Sequence, residues 1–319
     1  MGIINPSGAA IGYRGLFYIT TNDNLSFALP CSGEGLQLVS TLIAPDDNIH
    51  GSGNDATAFK IHYAEGQETY VGDINFPFYC YADLWTFLKK WMLTDRVLNE
   101  LQTSVTISPD YIDGTNGSVF KYDGVYVTEF TITNGGANNL ITVTLRLAAK
   151  SRTPTTLPTI SSTTPYGEFI TRQSELNKRP TPYWQSKVED YESFNPVYSG
   201  VDVLSWTVTV NHSTITTHVL NLSRAPKSIN QSLISVTGNV VLWSPSGVPE
   251  PTTRSGKLTM KIFDGSANPF ATIAMTNVGL STYPNPLRGP RERVSRTLNF
   301  EAFAGNYSAP GGEAAITLT

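Results

Sequence analysis

The stretch from Tyr70 to Met92, YVGDINFPFYCYADLWTFLKKWM, switches its hydrophobic period once, and that switch restricts the folds open to the whole chain. Tyr70, Gly72, Ile74, Phe76 and Phe78 alternate with Val71, Asp73, Asn75 and Pro77, the period of two that half-buries a strand. From Asp83, a candidate N-cap, the spacing becomes three and four. Leu84, Trp85, Leu88, Trp91 and Met92 then form one apolar stripe on a helix over about 83–93. Lys89 and Lys90 take the other face, near the end where the helix dipole favours cations. A strand running into an amphipathic helix, in a chain that otherwise reads as strands, predicts a sheet with one helix laid across it. The five apolar residues of that helix are the expected anchors of the core.

Strands account for most of the rest. LQLVSTLIA at 36–44 reads as the first, and Thr57–Ala64 with Glu68–Tyr79 as a hairpin around Glu65, Gly66 and Gln67. Ser104–Ile107, Ser118–Tyr122, Val125–Thr133 and Leu140–Ala148 follow, separated by DGTNG, Asp123-Gly124 and NGGANN. In the last of these, Ile141, Val143, Leu145 and Leu147 point inward while Thr142, Thr144 and Arg146 point outward. Strands resume at 203–210, 217–222, 233–243, 256–263, 271–281 and 294–303.

Five regions result. Residues 1–35 form an N-terminal arm and 36–150 a first β-rich unit with the helix. Residues 151–199 are a Pro-rich strap or linker, 200–305 a second β-rich unit, and 306–319 a C-terminal arm. Aromatic residues persist along the strap, among them Tyr183, Trp184, Tyr191 and Phe194, so it is expected to lie against protein. Both β-rich units share an order of parts, including a Val71-Gly72 step in one and Val236-Thr237-Gly238 in the other, which admits a tandem duplication. The second unit has SPSGVPEPTTRSG where the first has its helix.

With 319 residues and 40% hydrophobic content the chain can bury a large core. Charged residues are only 15%, below the roughly 25% usual for soluble domains. A surface so poor in charge tends to meet other protein. The net charge of −4 argues against a protein that coats nucleic acid, yet it permits an acidic passage along which nucleic acid slides. Cys31 and Cys80 are compatible with one disulfide and more typical of two reduced thiols. No apolar run reaches the roughly 20 residues that span a bilayer, so no membrane partner is expected.

Enzymatic chemistry finds no handle. There is no G-x-S-x-G, Walker-type loop or H-E-x-x-H, and His50, His62, His212 and His218 join no cysteine or carboxylate cluster at metal-ligand spacing. No cofactor is expected. Glu189, Asp190 and Glu192 could serve a glycosidase, but adjacent acids in a polar strap are ordinarily solvated charge; Trp184 and Glu189 are the residues whose change would test a carbohydrate-binding or hydrolytic role. Trp85 and Trp91 could form a sugar-stacking platform, but their spacing matches the helix's own apolar stripe. Between Tyr283 and Arg296 lies a basic turn with Arg288, Arg291, Arg293 and Arg296. These arginines could touch phosphate; pairing with acidic residues of a neighbouring copy, such as Asp46, Asp47 and Asp55, is the preferred reading.

Taken together, YVGDINFPFYCYADLWTFLKKWM, GVYVTEFTIT with LITVTLRLAAK, and the later SWTVTV, ISVTGNVVLW, GKLTMKIFDG and VSRTLNFEAFAG resemble the tail tube proteins of long-tailed bacteriophages. The resemblance lies in the pattern and order of parts over most of residues 36–305. It implies a mainly β, tail-tube-type sandwich or barrel with one flanking amphipathic helix, a non-enzymatic subunit that closes rings with copies of itself. Stacked rings form the conduit through which DNA passes without sequence recognition, in rings of three copies if the fold is duplicated and six otherwise. Other tail proteins are the implied further partners, the virion tail the location, and the host cytoplasm the place of assembly. Strand positions facing the channel are expected to be acidic or uncharged. A tail-tip or other single-ring component of the same fold and a carbohydrate-binding β-sandwich are the alternatives.

Overall fold

The computed structural model describes residues 15–20, 26–31, 33–34, 37–43, 64–89, 101–107, 119–155, 180–219, 223–245, 247–282, 295–304 and 315–319. Strands β1 (Gly15–Thr20), β2 (Ser26–Cys31), β3 (Gly33–Glu34), β4 (Gln37–Ile43) and β5 (Ala64–Pro77) precede helix α1 (Ala82–Lys89). Then come β6 (Leu101–Ile107), β7 (Val119–Asn134), β8 (Ile141–Ala149), β9 (Ser151–Thr155) and β10 (Ser186–Glu189). The remainder is β11 (Asp202–Thr217), β12 (Ser228–Trp243), β13 (Ser255–Ile262), β14 (Ala271–Thr282), β15 (Ser295–Ala302) and β16 (Thr317–Leu318). All pair antiparallel into one connected sheet, so the chain is mainly β, as its alternating pattern predicts.

Its central run is β4-β5-β8-β7-β11-β12-β15-β14-β13-β10. Along six of these strands, β5 to β15, the buried alternate residues meet directly: Ile74 opposes Leu145, which opposes Phe130, then Val210, Val236 and Ala302. All six side chains are buried. The β-branched and aromatic residues that make these segments strands therefore also make one continuous core face.

Several local expectations change. Residues 15–34, read as part of an arm, carry β1, β2 and β3, and Thr217, read as opening a strand over 217–222, is instead the last residue of β11. The turn read at Glu65-Gly66-Gln67 is instead part of β5, where Glu65 pairs with Leu42 across a register shift. Gly66 relieves a bulge there; it does not reverse the chain. Likewise β7 continues through Asp123-Gly124 without reversing. Gly124 adopts φ +61°, and the strand changes partners at this bend, from β6 and β9 to β8 and β11. Asp83 lies inside α1, which opens one residue earlier: the Trp85 N–H donates to the Tyr81 carbonyl at 2.9 Å. Residues 57–63, most of the first arm of the expected hairpin, fall outside the described residues.

Two turns of α1 are too short to be stable alone, so packing holds the helix. Leu84, Trp85 and Leu88 are buried, and each leucine contributes about 1.5–3 kcal/mol by leaving water. Trp85 meets Phe78 edge to face at 5.8 Å, and its indole N–H donates to the Thr319 carbonyl at 3.0 Å. Residues 315–319 are in turn fixed by β16 against β14 and by paired Thr272 and Thr319 amide–carbonyl bonds. Trp91 and Met92 lie outside the described residues.

The strap is partly built into the sheet. Pro180 and Pro182 form isolated bridges with Tyr79 and Leu140, β10 pairs with β13, and two short 3-10 turns cover Tyr191–Phe194 and Pro196–Tyr198. These turns grip the segment that follows β12. Thr252 N–H donates to the Phe194 carbonyl at 2.9 Å, Asn195 Nδ2 to Glu250 at 2.7 Å and the Tyr198 hydroxyl to Pro249 at 2.9 Å. Prolines that forbid a long central strand are accommodated by 3-10 turns and an edge strand.

The sheet order around β4 to β8, β4-β5-β8-β7-β6, is the order found around β11 to β15, β11-β12-β15-β14-β13. Register irregularities also coincide. Ser40 and Leu42 oppose Glu68 and Glu65, as His212 and Thr214 oppose Ile234 and Gln231. Val127 and Glu129 oppose Leu147 and Arg146, as Leu280 and Thr282 oppose Phe300 and Asn299. Leu101 and Thr103 oppose Val125 and Tyr122, as Gly256 and Leu258 oppose Val278 and Met275. Even the small flanking strands agree, β9 beside the first part of β7 and β16 beside the first part of β14.

Candidate functional site

Opposite the core, the same six strands carry rows of short polar side chains. One row runs Thr142, Thr133, Thr207, Asn239 and Asn299 across β8, β7, β11, β12 and β15. A second runs Asn75, Thr144, Thr131, Thr209, Thr237 and Glu301, starting from β5. A third is Asp73, Arg146, Glu129, Asn211 and Ser235. All are exposed or half-buried, so this is the wet face of the sheet.

Six of its hydroxyl and amide side chains pair with one another. Thr144 Oγ1 donates to Asn75 Oδ1 at 2.6 Å, Thr131 and Thr209 share a bond at 2.9 Å, and Thr207 donates to Thr133 at 3.3 Å. Arg146 is the one cation in these rows, and its guanidinium lies 3.5 Å from Asp73. Carboxylates outnumber it three to one, at Asp73, Glu129 and Glu301. The face is hydrophilic, partly self-paired and weakly acidic, which offers a passing polyanion no cluster of cations to bind.

Alternation within each strand gave the inward and outward sets, but not that they line up across both halves of the chain. The join that makes them continuous is β7 against β11, from Trp206 opposite Asn134 to Asn211 opposite Glu129. The available signal was the Thr spacing shared by TEFTIT, ITVTL and WTVTV.

Arg296, read as an outward contact, is instead buried at 2% exposure. It lies on the core side of β15, where its Nε donates to the Val248 carbonyl at 3.1 Å and Nη1 lies 4.0 Å from Glu250. An alternating strand puts every second residue inward, and 296 has the parity of Leu298 and Phe300. Asp46, Asp47, Asp55, Arg288, Arg291 and Arg293 lie outside the described residues.

Glu189 is clasped by Lys187 at 2.9 Å and Lys261 at 2.5 Å, which hold its carboxyl below the usual range. A carboxylate held ionised in this way suits an ion pair better than a general acid. Trp184 is 66% exposed at the rim of a cavity of about 300 Å³ that also reaches Asn134, Tyr191 and Trp206. Cys80 is a free thiol, pushed up to about 11 by burial, with its sulfur 3.4 Å from the Thr181 hydroxyl. Among the described residues no group of three or more His, Cys, Asp or Glu side chains is placed to hold a metal ion. No helix among them is long and apolar enough to cross a membrane.

No curated protein matches the chain. A family model described as phage tail tube protein matches residues 58–242, which reach from ahead of β5, across the β7–β11 join, to the end of β12. This match takes in five of the six strands that carry the polar rows and, with the mainly β structure, supports a structural role in the bacteriophage tail. Matched over more than half its length, the chain belongs to the phage tail tube protein family.

Proposed function

We propose that the chain assembles with copies of itself into stacked rings, and that the Thr/Asn face of the six central strands lines the channel through which viral DNA passes. The observation that carries this reading is the continuity of that face across both halves of the chain. Duplex DNA presents one negative charge per about 1.7 Å of its axis, so a wall of lysine and arginine would bind the polymer at many points and hold it. A wall of paired hydroxyls with a slight acidic excess keeps water at its surface and lets the polymer slide. Apolar side chains on the other face keep the wall rigid.

Stacked rings of such subunits make a tube that joins other tail proteins at its ends, built in the host cytoplasm and retained in the virion. Three copies complete a ring if each contributes two units, six if each contributes one. Electron microscopy of the purified protein tests the reading. Long hollow tubes support it, lone rings point to a tail-tip component, and monomers at every concentration refute it. Thr131→Lys with Thr209→Lys tests the channel face. Tubes of that variant are expected to retain DNA in a salt-sensitive way, and unchanged DNA behaviour counts against this face as the wall.

A further inference from the structure

We infer that the chain carries a sugar-binding cavity between β10 and β11, with Trp184 as its stacking platform. Strand pairing explains why an opening exists there. In the two matching sheet orders β1 flanks β6 as β10 flanks β13. β1 gives its other edge to β2, whereas among the described residues β10 pairs with β13 alone. The cavity of about 300 Å³ is lined by β10 and β11 and by no residue of β13, so it lies on the edge of β10 that corresponds to the β2 side of β1. Its volume stands at the small end of ligand pockets.

The groups around it suit a hydroxyl-rich ring. Trp184 is exposed, yet the backbone beneath it is fixed: the Tyr183 N–H donates to the Asn139 carbonyl at 3.0 Å and the Gln185 N–H to the Pro182 carbonyl at 3.1 Å. The electron-rich face of an indole attracts the C–H groups on one side of a pyranose. Polar partners for its hydroxyls stand beside that face. The Phe263 N–H donates to the Gln185 carbonyl at 2.8 Å, so the ladder bonds of β10 fall on Lys187 and Glu189, and Val188 turns its amide and carbonyl to the cavity side. Asp202 and Ser205 line the same space. An anionic ligand fits poorly, because Lys187, the one cation among the described lining residues, is held by Glu189 at 2.9 Å. Cleavage is not expected either. Glycoside hydrolysis calls for a pair of carboxyl groups, and Asp202 is the one acid among those lining residues.

Saturation-transfer NMR on the full chain tests this, with glucose, galactose and N-acetylglucosamine added singly at millimolar concentration. Transfer from the protein to the C–H protons of at least one of these sugars is expected. Affinity should fall about tenfold or more in Trp184→Ala and recover in part in Trp184→Phe, which restores an aromatic face. Asp202→Asn should weaken it by about tenfold, since a hydrogen bond to a charged group becomes one to a neutral amide. Trp184 is exposed, so its variants are expected to melt with the unsubstituted chain. No transfer to any of the three sugars overturns the site, as does transfer that Trp184→Ala leaves unchanged. Transfer seen with dilute chains and lost in assembled tubes also overturns it, because a neighbouring copy then covers Trp184. Dilute chains are read whether or not the protein forms tubes, so the result stands apart from the ring reading.

Discussion

Replacing Leu38 by aspartate should separate assembly from folding. In the free chain this side chain is 45% exposed on the open edge of β4, so the substitution changes little that folding depends on and should move stability by about 1 kcal/mol or less. Where assembly covers it, burying the exposed part of this leucine contributes about 0.7–1.4 kcal/mol, taken as 45% of the roughly 1.5–3 kcal/mol for full burial. An aspartate placed there loses that gain and must also shed water against the neighbouring copy, for about 3 kcal/mol or more in all. Association should weaken by more than about a hundredfold at each such contact. Val210→Asp is the internal counterpart, and because Val210 is fully buried it should unfold the chain. Thermal unfolding of dilute protein reads the first effect and sedimentation velocity the second. The reasoning fails if Leu38→Asp protein assembles like the unsubstituted chain, or if it melts as early as Val210→Asp.

Gly238 faces a cross-strand wall: a Cβ there would meet the Thr207 carbonyl oxygen and lie 2.6 Å from Phe300 Cζ, so Gly238→Ala should destabilise the chain by about 3 kcal/mol. Adding Phe300→Leu should recover only part of it, since the carbonyl stays; an unchanged melting temperature for Gly238→Ala contradicts this. His212 is buried with both ring nitrogens unpartnered, and desolvation pushes its pKa below the ordinary 6.5. The unfolded chain then binds a proton that the folded chain refuses, so stability is present above about pH 6.5 and is lost as pH falls towards the folded pKa, at up to about 1.4 kcal/mol per pH unit. His212→Leu should remove that slope, and identical pH profiles for the two proteins reject the assignment. Trp85→Phe keeps the packing on Phe78 but loses the bond to the Thr319 carbonyl, at about 1 kcal/mol. Faster amide exchange confined to residues 315–319 should report it, and unaltered exchange there would argue that the bond holds nothing.

Much of the fold was readable because the sheet has one wet and one dry face. In β8 the sequence alternation and the observed burial agree residue by residue from Ile141 to Leu147. The helix was legible from Leu84, Trp85 and Leu88, whose spacing admits only one face. Two turn signals misled: at Glu65-Gly66-Gln67 and Asp123-Gly124 residues that permit a reversal serve a bulge and a bend, and only the partner strand decides between those uses. For Arg296, charge suggested the surface while strand parity placed it inside, where the Val248 carbonyl and the Glu250 carboxylate from the segment after β12 receive it. Cross-strand register was the part no local pattern could supply. Whether Thr133 faces Thr207 depends on contacts some seventy residues apart in the chain.

The account's central claim is best tested by the density map of an assembled tube. It predicts Thr131, Thr144, Thr209 and Asn239 on the inner wall, with α1 on the outer side of the same sheet. A tube whose channel is lined by α1 and the apolar face, with those threonines turned outward, contradicts it.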